Sequence, residues 1–447
     1  MKDSWRKYLE GRVARYTSYP SALHFDASIS GDDLAAKCRD VDLYAPISIY
    51  VHVPFCRQLC WYCGCSMRVE NYYSRALDYV DAVVAEIAMH ASALEGRGRP
   101  ASVHFGGGTP NYLRSEDIGR ILNAIEEQLG LTDNAHLSIE LDPRILRRQD
   151  IEAFAALGFG RFSLGVQDFD LDVQTAINRI QGYELVEACV GEIRATGVND
   201  MSFDILYGLP RQTLNTFAET LDKVIALSPD RVAVFGYAHL PSAFSRQRMI
   251  DERSLPNPAL RAEMAELADQ RLVDAGFRRI GFDHYAKPAN ALAGAAAAGR
   301  IKRNFQGFAD DPSPTILGVG ASAISFIDGL YAQNEKNVGA YIGRVRRGES
   351  PVGRGLLRTR RENVVAAAIG DLLCGMSADI GELLKVAAPA EALRVCAALD
   401  QFEADGVIAL QGDRIKVADD AFLLARAVAA ALDPYAAAPV RGMSLSV

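Results

Sequence analysis

From Ile47 onward, the sequence alternates short apolar runs with longer segments that carry the helical period. The runs are rich in β-branched and aromatic residues and are bounded by glycine, proline or charge, as buried strands are. Because each crossover must return the chain to the same edge of a sheet, repeated strand–helix units predict parallel strands. The six predicted strands are ISIYVHV (47–53), SVHF (102–105), HLSIEL (136–141), RFSLGV (161–166), MSFDILY (201–207) and RVAVFGY (231–237).

The segments between these runs predict helices. Six strand–helix units fit an open, partial (β/α) barrel, and a doubly wound α/β sheet is the competing arrangement. In both arrangements, functional residues belong at the C-terminal ends of the strands. The predicted helices are Ala76–Leu94, Glu116–Leu129, Arg148–Leu157, Leu185–Thr196 and Leu214–Leu227, with a further long helix at Pro258–Ala275.

Residues from about Gly353 onward are predicted to form a separate, mostly helical module. Its end has the order helix (391–406), two-stranded hairpin (407–417), helix (421–433), which is winged-helix-like. The first of these helices, EALRVCAALDQFEADG, is net acidic, which argues against a DNA-reading role. We therefore interpret the module as a packing or substrate-covering element.

Composition narrows the class of protein. Of 447 residues, 49% are hydrophobic and 23% charged, which excludes a disordered or low-complexity chain. The formal charge of −8 argues against non-specific nucleic-acid binding, which requires a basic surface. The charged start MKDSWRKYLE lacks the apolar core of a signal peptide, and no apolar run is long enough for a membrane span. We expect a cytoplasmic protein without a membrane span.

Four of the eight cysteines lie within ten residues, at Cys56, Cys60, Cys63 and Cys65. This crowding indicates a metal or redox site rather than a disulfide framework. Cys-x3-Cys-x2-Cys offers three thiolates, which suits an iron–sulfur cluster with one open iron. A structural zinc site or buried thiols are the alternatives, but zinc prefers paired elements and no second pair follows.

The cysteine loop resembles the cluster loop of radical S-adenosylmethionine (radical SAM) enzymes. The wider string YVHVPFCRQLCWYCGC (50–65) resembles one branch of them, the oxygen-independent coproporphyrinogen III oxidases. The resemblance implies a partial (β/α)6 radical SAM barrel. Further collinear matches are RYTSYPSA (15–22), HFGGGTPNYL (104–113), SIELDPR (138–144), SLGVQDF (163–169), INRIQ (177–181), FDILYGLP (203–210), YAHLP (237–241), DHYAKP (283–288), RNFQGF (303–308), GASAIS (320–325) and YAQNEK (331–336).

The resemblance also implies a domain order. We expect an N-terminal arm that covers the site (1–45) and a radical SAM barrel with its extension (46–345). A helical, substrate-covering domain is expected to complete the chain (346–447).

The cofactor sites follow from the resemblance, residue by residue. Cys56, Cys60 and Cys63 match the ligands of a [4Fe–4S] cluster. Glycines near Gly106 suit a close backbone approach to a ligand, and carboxylates on strands can accept bonds from ribose or an ammonium group. The resemblance implies two SAM molecules, and the positions that match their contacts are Tyr50, Tyr62, Gly107, Gly108, Thr109, Glu140, Gln167, Arg179, Asp204, Ala238 and Ile324.

The substrate side is less defined. Arg15 and Tyr16 precede the first strand and Arg303 lies in RNFQGF, where they can grip propionate carboxylates; an ordinary capping arm is the alternative. Cys65 matches an extra cysteine of this branch, either a small polar filler or a participant in substrate or radical chemistry. No catalytic residue is assigned beyond this candidate.

The function implied by the resemblance is oxygen-independent decarboxylation of two propionates of coproporphyrinogen III to vinyl groups, giving protoporphyrinogen IX. A 5′-deoxyadenosyl radical from SAM would start it, with flavodoxin or ferredoxin as electron donor and a monomer as the acting unit. Two alternatives remain open: a haem-binding relative without catalysis, and a radical SAM enzyme that acts on another tetrapyrrole or methylates a different substrate.

Overall fold

Six parallel strands form the centre of a twelve-stranded sheet in the computed structural model, which describes residues 2–311, 313–437 and 444–445. Their order in the sheet follows the chain without a reversal, so the arrangement is a barrel rather than a doubly wound sheet. The six strands are β1 (Pro46–Val53), β2 (Arg99–Gly107), β3 (His136–Leu141), β4 (Phe159–Gln167), β5 (Asp200–Tyr207) and β6 (Arg231–Gly236).

Five helices cross between these strands, as the sequence predicted. Each buries an apolar face against the sheet; α5, for instance, buries Phe217, Leu221 and Val224 and begins with a capping box at Thr213. The helices are α1 (Tyr73–Leu94), α2 (Ser115–Leu129), α3 (Arg148–Ala156), α4 (Tyr183–Ala195) and α5 (Leu214–Leu227).

The barrel stays open because other strands occupy its two edges. Next to β6 lies an antiparallel strand, and next to β1 lies a parallel strand followed by three antiparallel ones. Helix α6 (Pro258–Asp274) and a short hairpin, Lys302–Asn304 with Gly307–Ala309, belong to the same extension. The flanking strands are β7 (Arg278–Ile280) and β8 (His284–Ala286) on one side, and β9 (Thr315–Val319), β10 (Ile324–Ile327), β11 (Leu330–Asn334) and β12 (Val352–Leu357) on the other.

The C-terminal module has the predicted order. Helix Pro389–Ala404 leads into the hairpin Ile408–Gln411 and Arg414–Val417, and helix Ala425–Leu432 follows. Strand Ser377–Asp379 adds a third strand to the hairpin, and helix Arg360–Gly375 precedes it. The last positions of the predicted 346–447 domain, 438–443 and 446–447, lie outside the described residues.

The N-terminal arm is attached to this module as well as to the barrel. The buried Trp5 donates its indole N–H to the carbonyl of Asp405 at 2.8 Å, and the Tyr16 hydroxyl donates to the carboxylate of Asp433 at 3.1 Å. The arm contains the helix Gly31–Arg39. These contacts place the arm's first residues between the module and the open end of the barrel. No helix of the described residues is long and apolar enough to cross a membrane.

Candidate active site

A cavity of about 710 Å³ opens at the C-terminal ends of the barrel strands. The cysteine loop, the glycine motif, the arm and the hairpin at 302–309 line its wall. Most of the predicted site residues therefore share one cavity. Those that line it are Arg15, Tyr16, Cys56, Cys60, Tyr62, Cys63, Cys65, Gly107, Gly108, Thr109, Glu140, Gln167, Arg179, Asp204, Ala238 and Arg303.

Tyr50 and Ile324 lie one layer behind this wall. In the register of the sheet, Tyr50 on β1 pairs with Gly318 on β9, and a side chain at Gly318 would meet the backbone of Ile324. The Tyr50 ring packs edge-on against Phe305, which itself lines the cavity, with 4.8 Å between ring centroids. The two residues are thus neighbours of each other on the β1 side of the cavity.

The cysteine loop is held by segments distant in sequence. The side-chain amide of Asn178 donates to the carbonyl of Leu59 at 2.7 Å, and that of Gln247 donates to the carbonyl of Tyr62 at 2.9 Å. At the start of the loop, the N–H of Glu70 donates to the carbonyl of Cys56 at 3.2 Å. These bonds satisfy the loop's backbone groups and fix its path.

Each of the three thiols has its own polar neighbour. Cys56 Sγ is 3.2 Å from the Thr109 hydroxyl, and Cys63 Sγ accepts the N–H of Cys65 at 3.3 Å. Cys60 Sγ accepts from two guanidinium groups, Arg144 at 3.4 Å and Arg179 at 3.6 Å. Within the described part of the chain, no three His, Cys, Asp or Glu side chains are grouped for a single metal ion. The three thiols line the same cavity, as the ligands of one cluster would.

The two arginines at Cys60 are joined by Asp142. Its carboxylate accepts Arg144 at 2.6 Å and Arg179 at 3.3 Å, and its backbone is bonded to the Asn111 side chain. Burial alone would raise the pKa of Asp142, but Arg179 and Arg144 outweigh burial and lower it. The result is a buried, net positive group beside a cluster ligand.

Asp142 and Arg144 were absent from the predicted site. The motif SIELDPR (138–144) contains both. Of its charged residues, however, only Glu140 lies on the barrel strand β3 itself. Asp142 and Arg144 follow in a 3-10 turn, where spacing does not define the direction of a side chain. The signal that could have found them is an acidic and a basic residue directly after a barrel strand.

The glycine motif forms a cradle at the end of β2. A Cβ on Gly106 would lie 2.8 Å from the Glu140 carboxylate, and one on Gly108 would lie 2.9 Å from the carbonyl of Phe55. Gly107 has φ +116° and would clash with the His52 ring. The N–H of Gly107 donates to the carboxylate of Glu140 at 3.1 Å. The motif leaves backbone groups open to the cavity where any larger residue would fill the space.

Two carboxylates face the cavity from the strands. Glu140 on β3 is fixed by His104 at 3.1 Å, whose other ring nitrogen is 2.7 Å from the Ser138 hydroxyl. Asp204 on β5 lies near it, and burial together with the charge of Glu140 raises the pKa of Asp204 to about 7. An uncompensated carboxylate of this kind suits donors such as ribose hydroxyls or an ammonium group.

Gln167 ends β4 in an uncommon backbone conformation. Its φ is +69°, and the pairing with β5 shifts register between Gly165 and Gln167. The irregularity is a bulge that redirects the side chain at the strand end, and Gln167 lines the cavity there.

Elsewhere on the cavity, four arginines lie around Asp283 and Tyr207. Arg15 from the arm donates to the carbonyl of Gly236 at 2.7 Å, and Arg303 from the hairpin pairs with Asp283 at 3.3 Å. Arg261 from α6 and Arg426 from the last helix of the C-terminal module complete the group, which we call the arginine wall. Arg15, Asp283, Arg303 and Arg426 line a small 30 Å³ cavity that shares Arg15 and Arg303 with the large one.

The charges in the arginine wall do not balance. Burial alone would raise the pKa of Asp283, but Arg303 and His284 outweigh burial and lower the pKa to about 2. Burial, together with Arg15, lowers the pKa of Arg426 to about 10. At the large cavity, Asp283 faces both Arg15 and Arg303, so one carboxylate stands against two guanidinium groups and leaves positive charge for an anion. Arg261 and Arg426 were not part of the predicted site.

Comparison with known proteins places the chain in a family. The Radical SAM superfamily model matches residues 50–224. The oxygen-independent coproporphyrinogen III oxidase of Bradyrhizobium diazoefficiens is 38% identical over 430 residues, covering 96% of this chain and 96% of that protein. The enzyme of the same name from Escherichia coli is 37% identical over 428 residues, covering 94% of this chain and 92% of that protein. A solved structure of the Escherichia coli coproporphyrinogen III oxidase, described as a radical SAM enzyme, matches with a TM-score of 0.88 and 35% identity over 94% of this chain and 97% of that chain.

The chain belongs to the oxygen-independent coproporphyrinogen III oxidase family. The implied fold, a radical SAM barrel with a helical C-terminal domain, is confirmed. Family membership implies a [4Fe–4S] cluster and SAM, and the donor set of this chain fits both. Three thiols line one cavity beside a glycine cradle. In the described residues, the Nε of Arg179 and one terminal nitrogen of Arg144 are buried without a partner beside Cys60.

Cys65 is the exposed member of the cysteine loop. Its carbonyl accepts the guanidinium of Arg246 at 2.8 Å, and its N–H is directed at Cys63. Cys65 lines the cavity, and it is not among the three cysteines predicted as cluster ligands. A role in substrate or radical chemistry stays a prediction.

Proposed function

We propose that the chain converts two propionate side chains of coproporphyrinogen III to vinyl groups without oxygen, giving protoporphyrinogen IX. Each propionate loses one hydrogen atom, one electron and carbon dioxide. The observation that carries this assignment is that three clustered thiols share one cavity with Arg15 and Arg303, two members of the arginine wall. Coproporphyrinogen III carries four carboxylates. Because the protein has a net charge of −8, it needs a local group of arginines to bind them.

We propose Cys56, Cys60 and Cys63 as the cluster ligands. The cluster and SAM together supply a 5′-deoxyadenosyl radical when bound. Arg144 and Arg179 would lower the cost of negative charge on Cys60, since both donate to its sulfur. Thr109 would do the same for Cys56.

The remaining predicted contacts would hold SAM. Gly107 and Gly108 leave room for its backbone contacts, and Glu140 and Asp204 present acceptors for an ammonium or ribose hydroxyls. Tyr62, Gln167 and Ala238 line the same region. We propose a second SAM molecule on the β1 side, because Tyr50 packs against Phe305 there and Ile324 is its neighbour in the sheet. Equilibrium dialysis should give two SAM per reconstituted chain, and Tyr50→Leu should reduce this to one.

The substrate would lie between the cluster loop and the arginine wall. Arg15 and Arg303 belong to both the large cavity and the wall, so they can bind propionates while the tetrapyrrole occupies the cavity. Tyr16 fixes the arm through Asp433, and the arm in turn limits access of water to the cavity. The protein's contribution is thus position and shielding of a reactive radical.

The wider setting is also a proposal. An acidic flavodoxin or ferredoxin would donate the electrons, and the chain would act as a monomer in the cytoplasm. Gel filtration and the reduction of the chain by each donor test these points.

The decisive experiment is anaerobic reconstitution followed by an assay with coproporphyrinogen III. We expect 5′-deoxyadenosine together with the monovinyl and divinyl products. Deoxyadenosine without a vinyl product would contradict the substrate assignment. Tight haem binding with no SAM cleavage would contradict the enzymatic assignment altogether.

A further inference from the structure

Directly outside Cys56 lies a surface that the reaction does not use. It consists of four exposed arginines, Arg57, Arg68, Arg75 and Arg114, with Val69 and Tyr72 between them, and we call it the basic face. Val69 is 37% exposed and Tyr72 is 66% exposed. A protein of net charge −8 thus carries a concentrated basic patch with an apolar centre.

Contacts between aromatic rings and guanidinium groups make the face one continuous surface. Arg57 stacks on Tyr112 at 4.8 Å and Arg114 on Tyr73 at 4.4 Å, and the two rings are 6.0 Å apart. Arg75 in turn stacks on Tyr72. Planar stacking holds each guanidinium in place while leaving its N–H donors available.

Three acidic groups lie nearby: Glu116 is exposed at the start of α2, Asp117 accepts the Tyr73 hydroxyl and pairs with Arg120, and Glu70 lies under the face. Glu70 is almost fully buried and binds Arg68 at 3.0 Å and Arg75 at 3.4 Å, so two arginines share one carboxylate. Arg57 and Arg114 form no ion pair with any of the described residues. The face therefore keeps a positive excess directed at solvent.

Its position links it to the cluster ligands. The short strand Arg68–Val69 pairs with Phe55–Cys56, and the N–H of Glu70 donates to the carbonyl of Cys56. Arg57 directly follows Cys56 in the chain. A molecule seated on the face would therefore stand one hydrogen bond from a proposed cluster ligand, on the side away from the substrate cavity.

We propose that the basic face is the docking surface for an acidic, one-electron carrier protein that reduces the cluster. The inference rests on the proposed function, which consumes electrons at this end of the cavity. The docked carrier loses one electron and the cluster held by the three thiolates gains it, with no bond formed or broken. A protein fits better than a nucleic acid, because the arginines ring an apolar centre and the rest of the chain repels a long polyanion.

The test uses Arg57→Glu/Arg114→Glu in the reconstituted holoenzyme. These two residues are chosen because their replacement breaks no ion pair, whereas replacing Arg68 or Arg75 would weaken the pairing of buried Glu70. Arg278→Glu is the matched control, since Arg278 is an exposed arginine on β7 at the far edge of the sheet. The probe is a reduced, acidic flavodoxin.

Two measurements separate docking from chemistry. The first is the Kd for flavodoxin, by anaerobic biolayer interferometry at low and high salt; we expect the double variant to bind about tenfold more weakly at low salt. The second is SAM cleavage driven either by flavodoxin or by dithionite. Cleavage with flavodoxin at subsaturating concentration should fall about tenfold as well. The rate with dithionite, which needs no docking, should match that of the parent and of Arg278→Glu.

Three results would overturn the proposal. One is an unchanged Kd for flavodoxin in the double variant, and another is an equal loss of cleavage with both reductants. A third is tighter binding of single-stranded RNA than of flavodoxin, abolished by the same substitutions. A parent that binds flavodoxin and cleaves SAM but forms no vinyl product would refute the proposed substrate, not the docking surface.

Discussion

The two walls of the cavity hold aspartates whose pKa values are shifted in opposite directions. On the cofactor side, burial and Glu140 raise the pKa of Asp204 to about 7. On the arginine wall, Arg303 and His284 outweigh the effect of burial and lower the pKa of Asp283 to about 2. The wall with Glu140 and Asp204 therefore presents carboxylate acceptors that lack a cationic partner. The arginine wall presents more guanidinium groups than carboxylates.

The difference separates two kinds of ligand within one cavity. The wall that carries Glu140 and Asp204, which we call the cofactor wall, suits the ammonium and hydroxyl groups of SAM. The arginine wall suits carboxylates. The cluster end is positive again near Cys60, where Arg144 and Arg179 stand beside thiolates. Charge thus alternates across the cavity and gives each ligand one place to bind.

The largest expected effect is the loss of the cluster when one of its proposed ligands is replaced. Cys60→Ala deletes the thiol that accepts from both Arg144 and Arg179 and should abolish cluster retention and SAM cleavage. Iron and sulfide content and deoxyadenosine formation measure this. Cys396→Ala, at an exposed cysteine of the C-terminal module, is the control and should retain both. Turnover by Cys60→Ala would contradict the assignment of the ligands.

The next effect concerns the arginine wall alone. Arg426→Gln removes one of the four cations but leaves Arg303 paired with Asp283. We expect the affinity for coproporphyrin III, the stable oxidised form of the substrate, to fall about tenfold to a hundredfold. Fluorescence titration of cofactor-free protein measures this without a cluster.

SAM binding provides the internal comparison for that variant. Arg426 lies away from the cofactor wall, so the Kd for SAM should stay at the parent value. Arg278→Gln, on the far edge strand, should leave both affinities unchanged. Equal porphyrin affinity in Arg426→Gln and the parent would mean that the arginine wall does not bind propionates.

The two walls also differ in how far the sequence could predict them. The cysteine loop is local, so its spacing indicated a metal or redox site, and the resemblance to a known family then assigned the glycine motif. The strands that carry Glu140 and Asp204 have the expected period. The arginine wall draws on an arm, α6, a hairpin and the last helix. Contacts between segments far apart in the sequence leave no periodic signal, so Arg261 and Arg426 were missed.

For a few residues, the sequence indicated the motif but not the direction of the side chain. Asp142 and Arg144 stand within a motif that the sequence analysis recognised, but a 3-10 turn directs them toward Cys60. Tyr50 and Ile324 show the reverse, since both were expected at the site and neither lines the cavity, although Tyr50 packs against Phe305, which does. Sequence defines which residues belong to a strand end more reliably than which of them face the cavity.

The third prediction concerns the positive charge that Arg144 places beside Cys60. Arg144→Gln removes a cationic donor from Cys60, while Asp142 keeps Arg179. Since a cation stabilises the reduced, more negative cluster, its loss should lower the reduction potential by on the order of 50 mV, equivalent to about 1 kcal/mol for one electron. An anaerobic redox titration followed by electron paramagnetic resonance measures it. Arg147→Gln, at an exposed arginine whose partner is Asp150, should leave the potential unchanged.

The smallest effect tests the contrast between the two aspartates directly. Asp204 in the folded protein keeps its proton up to about pH 7, whereas the unfolded group loses it near pH 3.8. Unfolding therefore releases a proton over this range, and the contribution of Asp204 to stability falls as pH rises from 4 to 7. Because the side chain lines a wet cavity, we expect a change on the order of 1 kcal/mol.

Asp204→Asn should remove this dependence. Denaturant unfolding of cofactor-free protein at pH 5 and pH 8 should show the variant gaining stability relative to the parent at the higher pH. Asp283 is the opposite case: its lowered pKa adds stability that is present above pH 4 and lost only as pH falls toward 2. Asp283→Asn should therefore destabilise the protein equally at pH 5 and pH 8. If both variants changed in parallel between the two pH values, the two walls would not differ in charge as the structure indicates.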